Sequence, residues 1–413
     1  MDYEMNIKTS GFLKARIDRS NWKRIRLGDF EQHRNNTCSR SLMTDQGGRI
    51  HNIHYGDILI KFNEIVSLEN TKIECLTAEG EAHAPKDYVQ DGDIIIADTA
   101  EDEMVGKMVE VQEIGKRRVL SGLHTVFYRP PANIFVRGWL GYWMNSSAYH
   151  NQLFQYMTGT KVLSLSKASL ADTIIQYPST DEQLKIVTAL EEVQRQIATL
   201  ESLIAKYESI KKATVKKLMT PTSEWQTTTI ENIANVVTGA TPSTSVSEYW
   251  DNATIPWMSS GEINNRFITC TENRISQLGY DRTSTHLIRP NSVLVALAGQ
   301  GTTRGKVAIN RIELCTNQSL AAITPFRPED YGFVFWNLDS RYNELRSIST
   351  GDGGRGGLNL HLIKTLPIQL PDEKTRDRIS TQLFSLSQLE DELHNQMLKL
   401  KDMKQSMLQY FFG

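Results

Sequence analysis

The sequence predicts an α+β chain made of two copies of one unit, each a globular part followed by one long helix, with the two helices partnering each other in a coiled coil. Three observations carry that expectation. Ser179 to Leu218 reads as one uninterrupted helix of roughly forty residues, ~60 Å at 1.5 Å per residue, with apolar side chains at Ile186, Leu190, Val193, Ile197, Leu200, Ile204, Tyr207 and Leu218. Steps of four and three make a narrow seam, and a seam needs a partner. Pro371 to Phe412 supplies one, through Ile379, Leu383, Leu386, Leu393, Met397, Leu400, Met403, Met407 and Phe411. Third, a constant shift of 193 lays Ile186 on Ile379, Leu190 on Leu383, Val193 on Leu386, Leu200 on Leu393 and Tyr207 on Leu400, and the likeness continues upstream, so the chain contains an internal repeat.

Met1 to Asn21 is polar with little pattern and is expected to be an arm on the first globular part. Trp22 to Leu27 (WKRIRL) and Trp225 to Ile230 (WQTTTI) open the two halves alike. YGDILIKF, DGDIIIAD, GKMVEV and HTVFYR read as short strands punctuated by Gly and Pro, before a helical stretch from about Ile134 to Tyr156. In the second half VLVALAG, GKVAI and LAAITPF are the strands and Tyr331 to Leu345 the helix. Gly92 to Ala97 corresponds to Asn291 to Ala296, and Gly106-Lys107 to Gly305-Lys306. Period-two runs without long intervening helices predict a mixed or barrel-like sheet, not a doubly wound one. Extended IIQYP and PIQLP segments then lead into the long helices. The first helix starts at a capping box, Ser179 and Glu182, with Asp181 adding negative charge to its first turn. It ends with Lys211, Lys212, Lys216 and Lys217 before Thr220 and Pro221.

With 413 residues, 39% hydrophobic and 23% charged, the chain has ordinary globular composition and room for two or three cored domains. Cys38, Cys75, Cys270 and Cys315 lie far apart, which reads as reduced thiols in a cytoplasmic protein with no zinc site. No window approaches eighteen apolar residues, so no membrane span is expected. A formal charge of −2 excludes coating of nucleic acid through overall positive charge but leaves local basic patches open.

Catalytic motifs fail on inspection. In GQGTTRGK, five residues separate Gly299 from Gly305 where a phosphate loop has four, and Val307 stands where Ser or Thr should hold magnesium. Pro130-Pro131 lacks the flanking residues of an amino-methyltransferase motif. No His-Glu-x-x-His or Gly-x-Ser-x-Gly arrangement occurs. What remains are polar and basic loops, in which Gly lets backbone approach a phosphate while Thr, Ser, Asn and Gln can bond base edges. In the first half the loops offer Lys107, Lys116, Arg117, Arg118, His124 and GTKVLSLSK, with Lys161 and Lys167. In the second the candidates are Thr241, Ser243, Thr244, Ser259, Arg266, Gln300, Thr302, Thr303, Arg304, Lys306 and Arg355. The same loops can be solvated turns, with TPST capping a helix and Trp250 and Trp257 in the core.

TGATPSTSVSEYW followed by IPWMSSGEI, the GKVAI strand after VLVALAG, the TNQSL run at Thr316, and PSTDEQLKIV and LPDEKTRDRI before the paired helices together resemble the specificity subunit of Type I restriction–modification systems. The likeness covers Trp22 to about Phe412. It implies two target recognition domains, residues 1–178 and 221–371, each reading one half of a split site in double-stranded DNA. It also implies that helices 179–220 and 372–413 pack antiparallel as spacer and docking surface, giving an approximate twofold repeat. The partners implied are two methyltransferase subunits, which bind S-adenosylmethionine, and ATP-driven restriction subunits; the chain itself would be non-catalytic and hold no cofactor. The first half departs from the pattern, with no TPST, YW and IPW block. A coiled-coil adaptor that does not read DNA is the other reading the sequence leaves open.

Overall fold

The computed structural model describes residues 17–69, 71–299, 301–348 and 358–413. The chain divides into two compact units, the first comprising Met1–Leu200 with Gln396–Gly413 and the second Glu201–Asn395. The repeat is visible inside each. Lys23–Arg26 pairs antiparallel with Ile174–Tyr177, and Gln226–Thr229 with Pro367–Leu370, so the segment opening each globular part is zipped to the strand that leaves it. Each unit then holds a five-stranded mixed sheet of the same order. In the first this runs Glu31–His33, Thr125–Arg129, Ile94–Ala97, Met108–Gln112, Ile65–Ser67; in the second, Ala234–Thr238, Leu320–Pro325, Val293–Ala296, Val307–Asn310, Phe267–Ile268. In both, only the last pair is parallel.

The central strands IIIA and VLVA are apolar throughout because both faces are covered, and all eight residues are buried. One face of each sheet is covered by an aromatic helix, Trp139–Met144 in the first unit and Tyr331–Ser340 in the second, and both helices join cores that take in residues of the long helices. A smaller side sheet repeats as well. Ile50–Ile53 runs parallel to Arg118–Ser121, and Ile255–Met258 parallel to Cys315–Thr316.

The long helices are Thr180–Leu218 and Glu373–Phe412. In the first unit Ile186, Val187 and Leu190 share a core with Met407, Leu408, Phe411 and Phe412. In the second, Val215, Leu218 and Met219 share one with Ile379, Leu383 and Leu386. Early turns of one helix therefore meet late turns of the other within each unit, which makes them antiparallel there. Leu190, Val193, Ile197, Leu200, Ile204 and Leu393 are buried, while Leu386, Met397 and Leu400 are half-buried. Gln183, fully buried, donates to the Pro178 and Ile134 carbonyls at 3.0 Å each and accepts from the Val136 N–H at 2.9 Å. Arg376, 193 positions later, donates to the Pro371 carbonyl and to Asp330, both at 2.8 Å. Each helix start is thus bolted to its own globular part.

Three expectations are corrected. YGDILIKF is not a strand: Tyr55–Ile60 is a helix, because His54 and Asp57 cap it from both sides. The stretch from Ile134 to Tyr156 is broken into Trp139–Met144, Ser147–His150 and a short turn at Phe154–Tyr156. Gly138, at φ +89°, delays its start, and Ser146, at ψ 158°, interrupts it. Tyr331 to Leu345 is likewise two helices, Tyr331–Ser340 and Tyr342–Ser347, separated at Arg341.

Candidate nucleic-acid interface

The loops around the side sheet are built to one plan in both units, which the sequence reading did not see. In TPSTS, Ser243 Oγ lies 2.8 Å from Ser245 Oγ; in TCSRS, Ser39 Oγ lies 2.8 Å from Ser41 Oγ. A tight turn goes with each, Ser247–Tyr249 just after TPSTS and Arg40–Leu42 overlapping the end of TCSRS. Against that turn packs a short helix capped by a hydroxyl three residues ahead of a glycine: Ser276 accepts from the Gly279 N–H at 3.0 Å, and Thr77 from the Gly80 N–H at 3.2 Å. Glycine is required at both, because a Cβ would stand 2.7 Å from the Tyr249 carbonyl oxygen or 3.0 Å from that of Leu42. The IPWMSSGEI segment has its counterpart in IHNIHYGDI. The Ser259 N–H donates to Glu262 at 2.8 Å, and the His54 N–H to Asp57 at 3.1 Å. The first half lacks the TPST, YW and IPW residues, as its sequence indicates, yet carries a structural counterpart of the loops they build. Its signal was a small residue three before a Gly and an acid three after a cap, which survive replacement of both Trp residues and the Pro.

The individual candidates fall in different places. Lys107 is half-buried and donates to the Leu59 and Phe62 carbonyls at 3.2 and 2.9 Å, and burial holds its pKa below the usual lysine value. Its cleft also carries Glu64, Asp102 and Glu103, which repel a phosphate. Lys116 and Arg118 are exposed beside Arg49 and His51 in a cleft of about 980 Å³, whereas Arg117 donates to the Thr71 carbonyl at 3.0 Å. Lys161 is exposed, and Lys167 reaches Asn35 at 3.4 Å.

In the second unit Thr241 donates to Gln318 at 2.7 Å, Ser243 and Thr244 are exposed, and Ser259 is the cap just described. Arg266 pairs with Asp339 and lies 4.7 Å over the Trp336 ring, and Lys306 donates to Asn264 at 2.6 Å. With Thr302 and Tyr342 these line one cleft of about 470 Å³. Thr303 and Arg304 are half-buried beside it, the Arg304 carbonyl accepting from Arg346 at 3.3 Å. Gln300 and Arg355 lie outside the described residues. Trp257 is buried as expected and its indole N–H donates to the Ala240 carbonyl at 3.0 Å; Trp250 is half-buried, edge-on to it at 5.3 Å. Among the described residues no group of acids, histidines and cysteines is placed to hold a metal, and no helix is long and apolar enough to cross a membrane.

Residues 222–401 match the Type I restriction modification DNA specificity domain. That stretch is similar to the specificity domains of this family. The Escherichia coli EcoR124I/EcoR124II specificity subunit is 22% identical over 192 residues, 46% of this chain and 46% of that protein. The Methanocaldococcus jannaschii MjaIX specificity subunit is 26% identical over 193 residues, 46% of this chain and 43% of that protein. The match thus spans about half the length of these curated relatives. The fold likeness covers nearly all of the chain. A Type I system S subunit from M. genitalium superposes with a TM-score of 0.62 at 12% identity, covering 97% of this chain and 98% of that one. A chain from a structure describing assembly and conformational transition of a type I R-M system gives 0.56 at 17%, covering 94% and 97%.

The specificity domain and its counterpart in the first unit share a cap but not its chemistry, and a pH dependence follows. Burial would raise the Asp57 carboxyl, but Arg40, Lys61 and the His54 N–H together hold it below the usual carboxylate range. His54 is held below 6.5 mainly by burial and by Arg40, with His124 adding to this and Asp57 and Glu74 opposing it. Its neutral Nδ1 accepts the Gly56 N–H at 3.2 Å. Because the folded value is depressed, the unfolded chain takes up the proton first, so this cap's contribution is present above pH 6.5 and lost as pH falls below it. His54→Ser supplies the residue used by the specificity domain at this cap, and the drop in melting temperature between pH 7.5 and 5.5 is expected to shrink. Equal pH dependence in the two proteins would refute the assignment.

Proposed function

We propose that this chain is the non-catalytic, sequence-reading subunit of a Type I restriction–modification complex, with residues 1–178 and 221–371 each reading one half of a bipartite DNA site. The observation that carries this reading is the doubled frame: the same strand order and caps occur in both units, while the exposed side chains on the frame differ. A duplicated frame suits two half-sites approached alike, and divergent side chains suit half-sites of different sequence. Helices 179–220 and 372–413 then act as an antiparallel coiled-coil spacer with approximate twofold symmetry. Their exposed apolar residues Leu184, Leu203, Ile210, Leu389 and Leu398 are unusual on a solvated helix and suit docking of two methyltransferase subunits. S-adenosylmethionine and ATP belong to those subunits and to the restriction subunits, and the chain works in the cytoplasm.

Exchanging residues 225–370 for the corresponding domain of a relative is expected to change one half of the methylated sequence and leave the other half and the spacing intact. Methylome sequencing reads this directly, and a change in both halves or in neither would sink the division of labour. Lys116 and Arg118, exposed with Arg49 in a cleft that also carries Glu69, Asp91 and Glu113, are the phosphate contacts of this reading. Replacing both by Ala should lower affinity for all sequences alike and reduce the salt-dependence slope by roughly two. An unchanged slope would remove them from the interface. A purely structural adaptor would give no bipartite methylation in the first experiment.

A further inference from the structure

Of the first-half loop residues that the sequence offers, His124 alone stands where the second unit places a small polar side chain. The shared frame shows how. The Gly122 N–H donates to the Ile53 carbonyl at 2.8 Å as the Asn317 N–H does to Met258 at 3.0 Å. The Asp98 N–H donates to the His124 carbonyl at 3.1 Å as the Leu297 N–H does to Ser319 at 2.8 Å. The cap then fixes His54 opposite Ser259, and hence Tyr55 opposite Ser260. So His124, Asp98 and Tyr55 occupy the positions of Ser319, Leu297 and Ser260.

Resting on the reading of this chain as a specificity subunit, the geometry points to Tyr55 and His124 as base-reading side chains of the first unit, acting on duplex DNA. Their rings stand edge to face with centroids 5.3 Å apart. His124 has a half-exposed side chain yet is fixed, with Nδ1 3.4 Å from Thr99 Oγ1 and 3.6 Å from Asp98. Its backbone sits at φ +54°, a left-handed conformation that disfavours most residues carrying a Cβ. Histidine tolerates that conformation better than most residues, and the Asp98 carboxylate and Thr99 hydroxyl beside Nδ1 restrain the ring. Lys167, exposed, supplies positive charge two residues after Leu165, whose N–H donates to the Asp98 carbonyl at 2.9 Å, while the Lys61 charge is paired with Asp57. Imidazole and phenol hydroxyl bond base edges through nitrogen and oxygen on rigid rings, whereas Ser260 and Ser319 reach less far. The two units therefore present different chemistry on one frame, as an asymmetric target requires.

The test uses the chain assembled with its methyltransferase subunits. His124→Asn keeps a residue that tolerates the left-handed backbone, and Tyr55→Phe removes only the hydroxyl. Each is expected to lower discrimination at a base of one half-site by about tenfold or more. The melting temperature should stay the same, as should discrimination at the other half-site. If both variants methylate the wild-type sequence with undiminished discrimination, or if both half-sites weaken together, the proposal is overturned. Absence of bipartite methylation by the wild-type complex would instead overturn the reading of the chain as a specificity subunit.

Discussion

Phe412→Ala is expected to destabilise the first unit by about 3–5 kcal/mol, the range for truncating a fully buried aromatic residue. Phe412 is the last residue of the second long helix, a position where helices commonly fray, yet it is completely buried. Its ring meets Trp139 and Trp143 edge-on, at 5.4 and 5.6 Å, and Trp22 packs on the same two indoles at 5.5 and 5.7 Å. Each edge-to-face pair adds to the area buried. The alanine variant leaves a cavity against the Trp139 and Trp143 indoles. Thermal unfolding should shift down on the order of 10 °C for a unit of this size, and exchange of amide hydrogens should accelerate in the last turns of the second long helix. Met219 is the equivalent residue in the first repeat and is also buried, but thioether packing is more adaptable. Met219→Ala should therefore cost less. A Phe412→Ala melting temperature within a degree or two of the parent would show that the aromatic cage does not hold the helix end.

Lys404→Ala should cost about 3 kcal/mol or more by stranding its partners. Lys404 Nζ donates to both carboxylate oxygens of Glu64, at 2.8 and 2.7 Å, and to Gln194 at 2.9 Å, and lies 5.7 Å over the Tyr142 ring. The pair is largely buried, with side-chain exposures of 9% and 18%, so removing one member leaves a poorly solvated charge. Replacing both by apolar residues, Lys404→Met with Glu64→Leu, should recover most of the loss. That recovery would place the cost in the unpaired carboxylate and not in the lysine stem. Lys211, 193 positions earlier, repeats the hook in the second unit with Ser387, Glu390 and the Trp336 ring, also at 5.7 Å. Ser387 itself follows Gln194 by 193, so the polar link between the two helices is duplicated along with the seam. Urea denaturation of the single and double variants decides the matter; a single variant within 1 kcal/mol of the parent would mean the hook contributes nothing to folding.

The long helices and central strands were legible because their signals are local and periodic. Thr180–Leu218 and Glu373–Phe412 lie within a residue or two of the expected bounds, since a seam of four and three cannot be mistaken for another pattern over forty residues. IIIA and VLVA were legible for the same reason. Tyr55–Ile60 was not. YGDILI carries strand-forming residues, and the cap that makes it helical is a histidine, which accepts a backbone hydrogen bond only when neutral and held by Arg40 and Asp57. Lys107 and Arg266 look in sequence like phosphate ligands, but one ends on backbone carbonyls and the other on Asp339 and an indole face. Those partners lie 45 to 73 residues away, and no spacing rule reaches that far.

The sequence by itself determined the duplication, the α+β class and the helices, because burial of an apolar stripe or a two-sided strand writes a periodic pattern into the chain. Only the tertiary structure decided that the first half carries the same looped frame as the second. That frame is held by backbone hydrogen bonds and single caps, which His and Ser, or Asp and Glu, satisfy equally well while sharing no recognisable motif.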